Sequence, residues 1–203
     1  MILKSERKFA DMKHVLYEQK HPGLGTAYWV FSELSKGKWF NMTILAPREG
    51  MKEFPKTFGH YHEAVKHDET ETYKLLSGKG IFMLQKKFYD EKGTWVPEKV
   101  TGVFLVQGYP GDVIMVPKEY GHSWSNIGDE PLITYDDWNL PHIPEDYKYI
   151  KKQKGMAYYL VDEKGAIRAT KNSSYKDLPA PVWMSAAEFN AMVNLYYSVN
   201  TSN

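Results

Sequence analysis

The chain has 203 residues, of which 42% are hydrophobic and 25% are charged, and it contains no cysteine. This length suits one domain with a sizeable core, and the lack of cysteine excludes disulfides and thiolate metal sites. The 26 Lys and Arg residues nearly balance the 25 Asp and Glu residues, and the resulting net charge of +1 argues against nucleic acid as a partner.

The first 20 residues are mixed in character. Charged side chains occur throughout Met1–Lys20, without the apolar core of a secretion signal. No stretch of the chain approaches the roughly 18 apolar residues of a membrane span. We therefore expect a cytoplasmic protein without a membrane partner. Residues Arg7–Lys20 are compatible with a short helix or with an irregular arm.

From about Thr26 the pattern changes to short apolar and β-branched runs separated by glycine and proline turns. Such runs are typical of strands, and many of them in succession indicate a sandwich or barrel. The predicted strands are Thr26–Ser32, Trp39–Ala46, Thr57–His62, Thr70–Leu76, Ile81–Phe88, Val103–Val106, Asp112–Val116, His122–Asn126 and Leu132–Trp138.

The last third of the chain has a weaker pattern. Ala157–Val161 and Ala166–Thr170 predict a hairpin, and Ser185–Tyr197 predicts a helix. The first residue of that helix is a suitable N-cap, and Glu188 three residues later completes a capping box.

The sharpest chemical feature is the segment His60-Tyr61-His62. Side chains alternate along a strand, so both histidines of a predicted strand point to one face, where two imidazoles can hold one metal ion. An isolated pair of this kind is equally consistent with two ordinary histidines on a solvated face. Two spaced blocks further along the chain favour the metal site: Glu71 with Gly78, and Gly111 with Pro117, His122 and Asn126.

This paired pattern resembles the two signature motifs of the cupin superfamily. The resemblance implies an all-β fold, a single double-stranded β-helix or jelly-roll barrel, here with a short N-terminal arm and a C-terminal helix. We expect one domain over residues 1–203, with the barrel at about 26–140 and a C-terminal extension at about 150–203. The superfamily's metal ligands fall on His60, His62, Glu71 and His122.

Three imidazoles and one carboxylate suit one divalent transition metal rather than calcium or magnesium. Iron is the expected ion, with manganese, nickel, cobalt and zinc as alternatives. Nine positions separate His62 from Glu71, which is longer than in most cupins. Glu71 is preferred because it keeps the motif's spacing to its glycine and shares strand parity with Tyr73. Its rivals are Glu63, His67 and Glu69.

A longer resemblance narrows the family. The blocks Thr57–His62, Glu71–Tyr73 and Leu76–Gly80 are similar to those of the cupin-type (archaeal-type) glucose-6-phosphate isomerases, and so is Pro110–Pro131. The similarity spans roughly residues 7–150. It implies the interconversion of glucose 6-phosphate and fructose 6-phosphate, a step of glycolysis and gluconeogenesis, with a phosphorylated hexose as the substrate and a homodimer as the assembly.

The resemblance also implies substrate-binding residues. The positions that contact sugar and phosphate match Thr43, Thr57 and Gly59, with Tyr28 and Tyr73 as aromatic hydroxyl partners. These residue types suit the task, because hydroxyls and a backbone N–H can bind phosphate without a lysine. A glycine lets the backbone approach closely, since it has no Cβ.

One family segment, His-Asp-Tyr, is altered in this chain. Its nearest match is Glu145-Asp146-Tyr147. Tyr147 is therefore expected at the substrate, whereas the histidine is either replaced by Glu145 or displaced to His142. A carboxylate beside a phosphate would be repulsive, so the two alternatives differ in what they imply for the substrate.

The expected catalytic residues are Glu71 and Tyr73. Glu71 is the candidate base for removal of the C2 proton, and Tyr73 can orient the sugar or donate to a developing oxyanion. A carboxylate that binds a cation is a weaker base, which favours a direct hydride shift; both routes stay open. The alternatives for the whole protein are another metallocupin enzyme (a dioxygenase, a decarboxylase or an isomerase of a different sugar) and a non-catalytic sugar-sensing cupin.

Overall fold

The structure is a computed structural model that describes residues 1–19, 25–48, 50–62 and 70–200. It is built mainly of strands, with three α-helices in the described ranges. In chain order the elements are β1 (Ile2–Lys8), α1 (Phe9–Met12), a 3₁₀ turn (Lys13–Val15), β2 (Thr26–Lys36), β3 (Trp39–Leu45), β4 (Glu71–Ser77), β5 (Gly80–Tyr89), β6 (Trp95–Gly108), β7 (Val113–Val116), β8 (Tyr120–Asn126), β9 (Leu132–Asp136), α2 (Pro144–Lys152), β10 (Tyr158–Glu163), β11 (Ala166–Lys171), β12 (Val182–Ser185) and α3 (Ala186–Asn200).

Two sheets carry the fold. The six-stranded sheet has the order β1-β2-β3-β9-β4-β7, and the four-stranded sheet has the order β12-β6-β5-β8. All of their pairings are antiparallel except the parallel pair of β12 and β6. Alternate residues of β4 face the core, where Leu75 is buried, and Phe82 and Trp124 stack on each other at 4.4 Å in the four-stranded sheet. The predicted all-β class with a C-terminal helix is confirmed.

The N-terminal segment differs from the prediction. Residues 2–8 form strand β1, which pairs antiparallel with β2, and a helical turn follows over Phe9–Val15. The sequence Ile2–Lys8 lacks apolar alternation because β1 is an edge strand with little burial, so its stability comes from backbone pairing rather than from a hydrophobic face. The expected arm is therefore a sheet strand at its start and helical only in part.

The C-terminal region contains both expected and unexpected elements. The hairpin is present as β10 and β11, and the predicted capping box is formed: Ser185 N–H donates to Glu188 Oε2 at 2.7 Å and Glu188 N–H donates to Ser185 Oγ at 3.3 Å. Helix α2 and strand β12 were not anticipated, because each is short and its sequence carries no clear period. Strand β6 is longer than the predicted Val103–Val106, since its first half pairs with the end of β5. Among the described residues no helix is long and apolar enough to cross a membrane.

Candidate metal centre and substrate cavity

The segment that carries the first two histidines runs beside strand β8 but is not a regular strand, so the predicted strand Thr57–His62 is wrong. Isolated antiparallel bridges join the segment to β8 at Lys56 and His60. Between them Gly59 has φ +80°, a left-handed conformation that interrupts the pleat. Its histidines therefore converge through an irregular backbone rather than through strand alternation.

Four side chains converge at one point inside the barrel. Their ligand atoms, from His60, His62, Glu71 and His122, all lie within 4.8 Å of one another. His122 comes from the middle of β8 and Glu71 begins β4, so both sheets contribute. Glu71 Oε2 lies 3.2 Å from His62 Nε2 and 3.1 Å from His122 Nε2. This group can hold one metal ion.

The polar atoms of this group are buried and, apart from the contacts of Glu71 Oε2 with the two imidazoles, find no hydrogen-bond partner among the described residues. They are the Nε2 atoms of His60, His62 and His122 and both carboxylate oxygens of Glu71. Buried polar atoms without partners are rare in proteins and require an explanation, such as a role in binding an ion. The donor set of neutral nitrogens and one carboxylate suits a first-row transition metal.

The electrostatics of the group agree with a role as ligands. Burial lowers the pKa of His60 well below its ordinary value, and the neighbouring His122 lowers it further. Burial opposes ionisation of Glu71, but the imidazoles of His122 and His62 outweigh it and hold the pKa of this carboxyl below its ordinary range. A neutral imidazole and an ionised carboxylate are the forms that bind a metal.

Other aromatic rings fix the orientation of the histidines. The ring of His62 meets Trp138 edge-on with centroids 3.8 Å apart, and the ring of His60 meets His142 at 4.4 Å. Trp138 was not singled out from the sequence, where it appears only as the end of a predicted strand. The rival ligands Glu63, His67 and Glu69 lie outside the described residues.

A cavity of about 340 Å³ opens beside the ligand group. Every residue that the sequence predicted to contact substrate lines this cavity, together with two of the metal-ligand candidates: Tyr28, Thr43, Thr57, Gly59, Tyr73, His142 and Tyr147, with His60 and His122. The structure thus brings together residues that are separated by more than a hundred positions in the chain.

The two candidate residues of the altered family segment, His142 and Glu145, differ in their position relative to the cavity. His142 lines the cavity, whereas Glu145 is exposed at the first turn of α2 and lies outside the cavity lining. His142 Nδ1 lies 3.3 Å from Asp146 Oδ2, which also accepts the N–H of Ile143 at 3.1 Å. His142, three positions before Glu145, thus lies at the cavity wall, and neither Glu145 nor Asp146 is among the residues that line the cavity.

Thr57 is held by hydrogen bonds to strand β8, and the hydroxyl of Tyr73 stays protonated. Thr57 Oγ1 accepts the N–H of Trp124 at 3.1 Å and lies 3.2 Å from Ser123 Oγ. Burial raises the pKa of Tyr73 well above its ordinary value, and the charges of Glu71 and Asp136 add to this. The Tyr73 hydroxyl therefore keeps its proton and can donate it.

Several cavity residues were missed by sequence reasoning. Asp136 ends β9 and is buried; its Oδ1 accepts from Asn41 Nδ2 at 2.6 Å, and burial followed by the Glu71 charge raises its pKa to about 8. Asn41 lies two residues before Thr43, so both side chains are on the same face of β3. This spacing could have identified Asn41 as a cavity residue from the sequence. Asp136 carried no such signal, and the strand that supplies Lys4, Ser5 and Arg7 was not predicted.

Comparison with known proteins identifies the family. The family model for glucose-6-phosphate isomerase (GPI) matches residues 32–177. The chain is 32% identical to the glucose-6-phosphate isomerase of Pyrococcus furiosus, over 85% of this chain and 88% of that protein, and 30% identical to that of Pyrococcus horikoshii, over 84% and 87%.

Likeness to solved structures is weaker. The chain matches a structure described as a predicted oxalate decarboxylase from Thermotoga maritima with a TM-score of 0.36 and 20% identity, over 67% of this chain and 96% of that one. It matches the Drosophila melanogaster CENP-C cupin domain with a TM-score of 0.33 and 11% identity, over 54% and 65%. The family rests on the sequence matches, and they agree with the two motif blocks: the chain belongs to the glucose-6-phosphate isomerase family.

Proposed function

We propose that the protein is a metal-dependent isomerase that interconverts glucose 6-phosphate and fructose 6-phosphate. The observation that carries this proposal is the convergence of His60, His62, Glu71 and His122 at the wall of a cavity lined by hydroxyl side chains. The cavity volume falls in the range of about 300–1,000 Å³ that is usual for small-molecule sites. The similar proteins that carry this activity cover most of the chain.

The four ligand candidates would hold one divalent ion, and we propose iron. When bound there, the ion would act as a Lewis acid towards the C1 and C2 oxygens of the sugar. The chain's own residues supply the rest. Tyr73 keeps its hydroxyl proton and can donate to an oxygen that gains charge during the reaction.

The substrate would lie along the cavity wall. Thr43 and Thr57 offer hydroxyls, and the tight turn at Gly59 places its backbone at the cavity wall, where the substrate would bind. Tyr28 and Tyr147 supply two further hydroxyls, and His142 lies next to His60. This arrangement places hydrogen-bond donors around a polyhydroxy chain and leaves Glu71 as the candidate base for the C2 proton.

The test is a coupled assay of fructose 6-phosphate conversion. Chelator-stripped protein is reloaded in turn with Fe(II), Mn(II), Ni(II), Co(II) and Zn(II). We expect activity only after metal is restored, and its loss in the His60→Ala variant; His14→Ala, which changes an exposed histidine in the 3₁₀ turn, is the control. Protein that binds metal but converts no sugar phosphate with any of the five ions would overturn the proposal and leave the sensor or another metallocupin reaction.

The wider predictions from the sequence stay predictions. They are a homodimer, a cytoplasmic location, a single domain over residues 1–203, and a place in glycolysis and gluconeogenesis. Sedimentation analysis of the metal-loaded protein decides the first of these.

A further inference from the structure

Strand β1 forms one side of the cavity. Its residues Ser5 and Arg7 are paired across the sheet with Val30 and Tyr28 of β2, and all four line the cavity. The register shifts between Leu3 and Ser5, so that the residue between them has no cross-strand partner. Such a bulge redirects a side chain, and this extra residue, Lys4, also lines the cavity.

The guanidinium of Arg7 is incompletely satisfied. Its Nε is buried and has no hydrogen-bond partner in the part of the chain that the structure describes, and its Cζ lies 5.6 Å from the centre of the Phe58 ring. It is close enough to the Tyr28 hydroxyl to hold down the pKa of that group, which burial raises. Within the described ranges Arg7 has no ion pair with a carboxylate, although the chain's other two arginines, Arg48 and Arg168, each pair with one.

The charge at this end of the cavity is positive. Lys4 and Arg7 are its cationic lining residues, and Asp136 is the only acidic residue among those that line it. A buried N–H without an acceptor destabilises the folded protein. Such a group persists at a functional site where a ligand supplies the missing acceptor.

We propose that Arg7 binds the phosphate of the substrate and completes the phosphate subsite from the β1 side, with Lys4 as a second, more exposed positive charge. This inference rests on the proposed function. A guanidinium presents paired N–H donors that match the oxygens of a phosphate, and such charge-assisted bonds are stronger than those from neutral hydroxyls. The hydroxyls of Thr43 and Thr57 then position the phosphate, and Arg7 neutralises it.

The arrangement also gives the substrate a direction. Arg7 and Tyr28 come from β1 and β2 at one edge of the six-stranded sheet, whereas Glu71 comes from β4, four strands away from β1, and His122 comes from the other sheet. A phosphorylated hexose bound with its phosphate at Arg7 presents its uncharged C1–C2 end to the metal ligands. The reverse orientation would leave the guanidinium without an anionic partner.

The test compares Arg7→Gln and Arg7→Lys with Arg168→Gln, which changes an exposed arginine far along the chain. In the metal-loaded enzyme we expect Arg7→Gln to raise the KM for fructose 6-phosphate about 10- to 100-fold, as loss of a charged hydrogen bond predicts. Its kcat should change much less, because the phosphate is held alike in the ground and transition states. Arg7→Lys should give a smaller rise, and Arg168→Gln none.

Inorganic phosphate provides a second readout that does not require turnover. Phosphate should raise the melting temperature of metal-loaded wild-type protein, should do so much less in both Arg7 variants, and should act undiminished in Arg168→Gln. Suppose that the wild-type enzyme is active, and that Arg7→Lys keeps the wild-type KM and the wild-type rise in melting temperature with phosphate, as does Arg7→Gln if it folds. The inference is then wrong and the proposed function stands. A wild-type protein that phosphate does not stabilise also overturns it. Phosphate stabilisation that depends on Arg7 in a protein without isomerase activity supports the anion site and overturns only the proposed reaction.

Discussion

The two ends of the cavity are built in different ways. At the metal end, Glu71 and His122 are about 2% exposed and lie on strands of the two sheets, so their positions are set by the packed core. At the cationic end, Arg7 lies on an edge strand three residues after the bulge at Lys4 and is half-buried. One end is rigid and enclosed, and the other is open and charged.

This difference fits two tasks that the proposed reaction separates. Chemistry at C1 and C2 needs ligands held to a fraction of an ångström and shielded from water, which buried strands provide. Recognition of a phosphate needs positive charge that the free ligand can reach, which an edge strand provides. The predictions below test whether the two ends differ as this division requires.

The largest effect is expected from removing a ligand at the metal end. His122→Ala should abolish stoichiometric metal binding and lower kcat about 1,000-fold or more, since a Lewis acid supplies several kcal/mol to the transition state. Metal content by mass spectrometry and the coupled assay measure both. His142→Gln changes a neighbouring histidine outside the ligand group and should keep its metal. A His122→Ala enzyme with full activity would show that the four-residue group is not the metal centre.

The same contrast explains how much the sequence predicted. The metal end is encoded by residue type and spacing: Glu71 and His122 lie on strands that periodicity finds, and a reactive donor set is recognisable without a structure. The convergence of His60 and His62 was predicted correctly but for an inaccurate reason, because the positive φ of Gly59 and the bridges to β8 replace the regular strand.

The cationic end could not be found in this way. A half-exposed edge strand has no hydrophobic alternation, so β1 resembled an irregular arm, and a bulge is a tertiary feature without a sequence period. The positions of His142 and Glu145 relative to the cavity also depend on where α2 begins, which the sequence did not predict. Strands whose stability comes from backbone pairing alone are the part of a fold that residue patterns predict least well.

A second prediction tests how firmly the chain that follows β1 is anchored. Lys56 Nζ donates to Glu53 and, at 2.7 Å, to the Val15 carbonyl, and both bonds are buried. The Tyr17 N–H donates to Glu53 Oε2 at 2.7 Å in a partly buried setting. Lys56→Met leaves the Glu53 charge buried and unpaired, so we expect the free energy of unfolding to fall by about 3–5 kcal/mol. Urea denaturation of the metal-loaded protein measures it.

The matched control for this anchor is the exposed ion pair of Glu163 and Arg168. Glu163→Gln should leave the free energy of unfolding nearly unchanged, because solvent screens such pairs. Equal losses for the buried and the exposed pair would mean that Lys56 does not anchor the segment after β1.

A third, smaller effect is expected at the turn that delivers the first histidines. A Cβ at Gly59 would lie 3.0 Å from Met156 Sδ, on top of the cost of φ +80°, whereas a Cβ at Gly93 would meet nothing within 4 Å at φ +73°. Both alanine variants should lose about 1–2 kcal/mol from the backbone term. Gly59→Ala should lose more and should also bind metal less tightly, because His60 follows directly. Metal titration and denaturation of each variant measure this, and indistinguishable variants would show that the turn has no role in placing the ligand.

The smallest effect, counted per pH unit, is a pH dependence of stability at Asp136, which is close enough to both Glu71 and Lys4 to sense their charges. Its pKa is raised to about 8 by burial and then by the Glu71 charge, from an ordinary value of 3.8. Between these two pH values the folded protein keeps the Asp136 proton that the unfolded chain has lost. The contribution of Asp136 to the free energy of unfolding is therefore complete below about pH 4. It falls by up to ~1.4 kcal/mol per pH unit as the pH rises towards 8. Asp136→Asn keeps the shape of the side chain but cannot ionise, and it should remove this slope in denaturation curves of chelator-stripped protein recorded from pH 4 to 8.

The hydrogen bond from Asn41 Nδ2 is retained in the variant, because the amide oxygen can accept from it as the carboxylate does. If wild-type and variant show parallel stability profiles, Asp136 is ionised when buried, and the cavity then holds a negative charge that a phosphorylated sugar would have to approach.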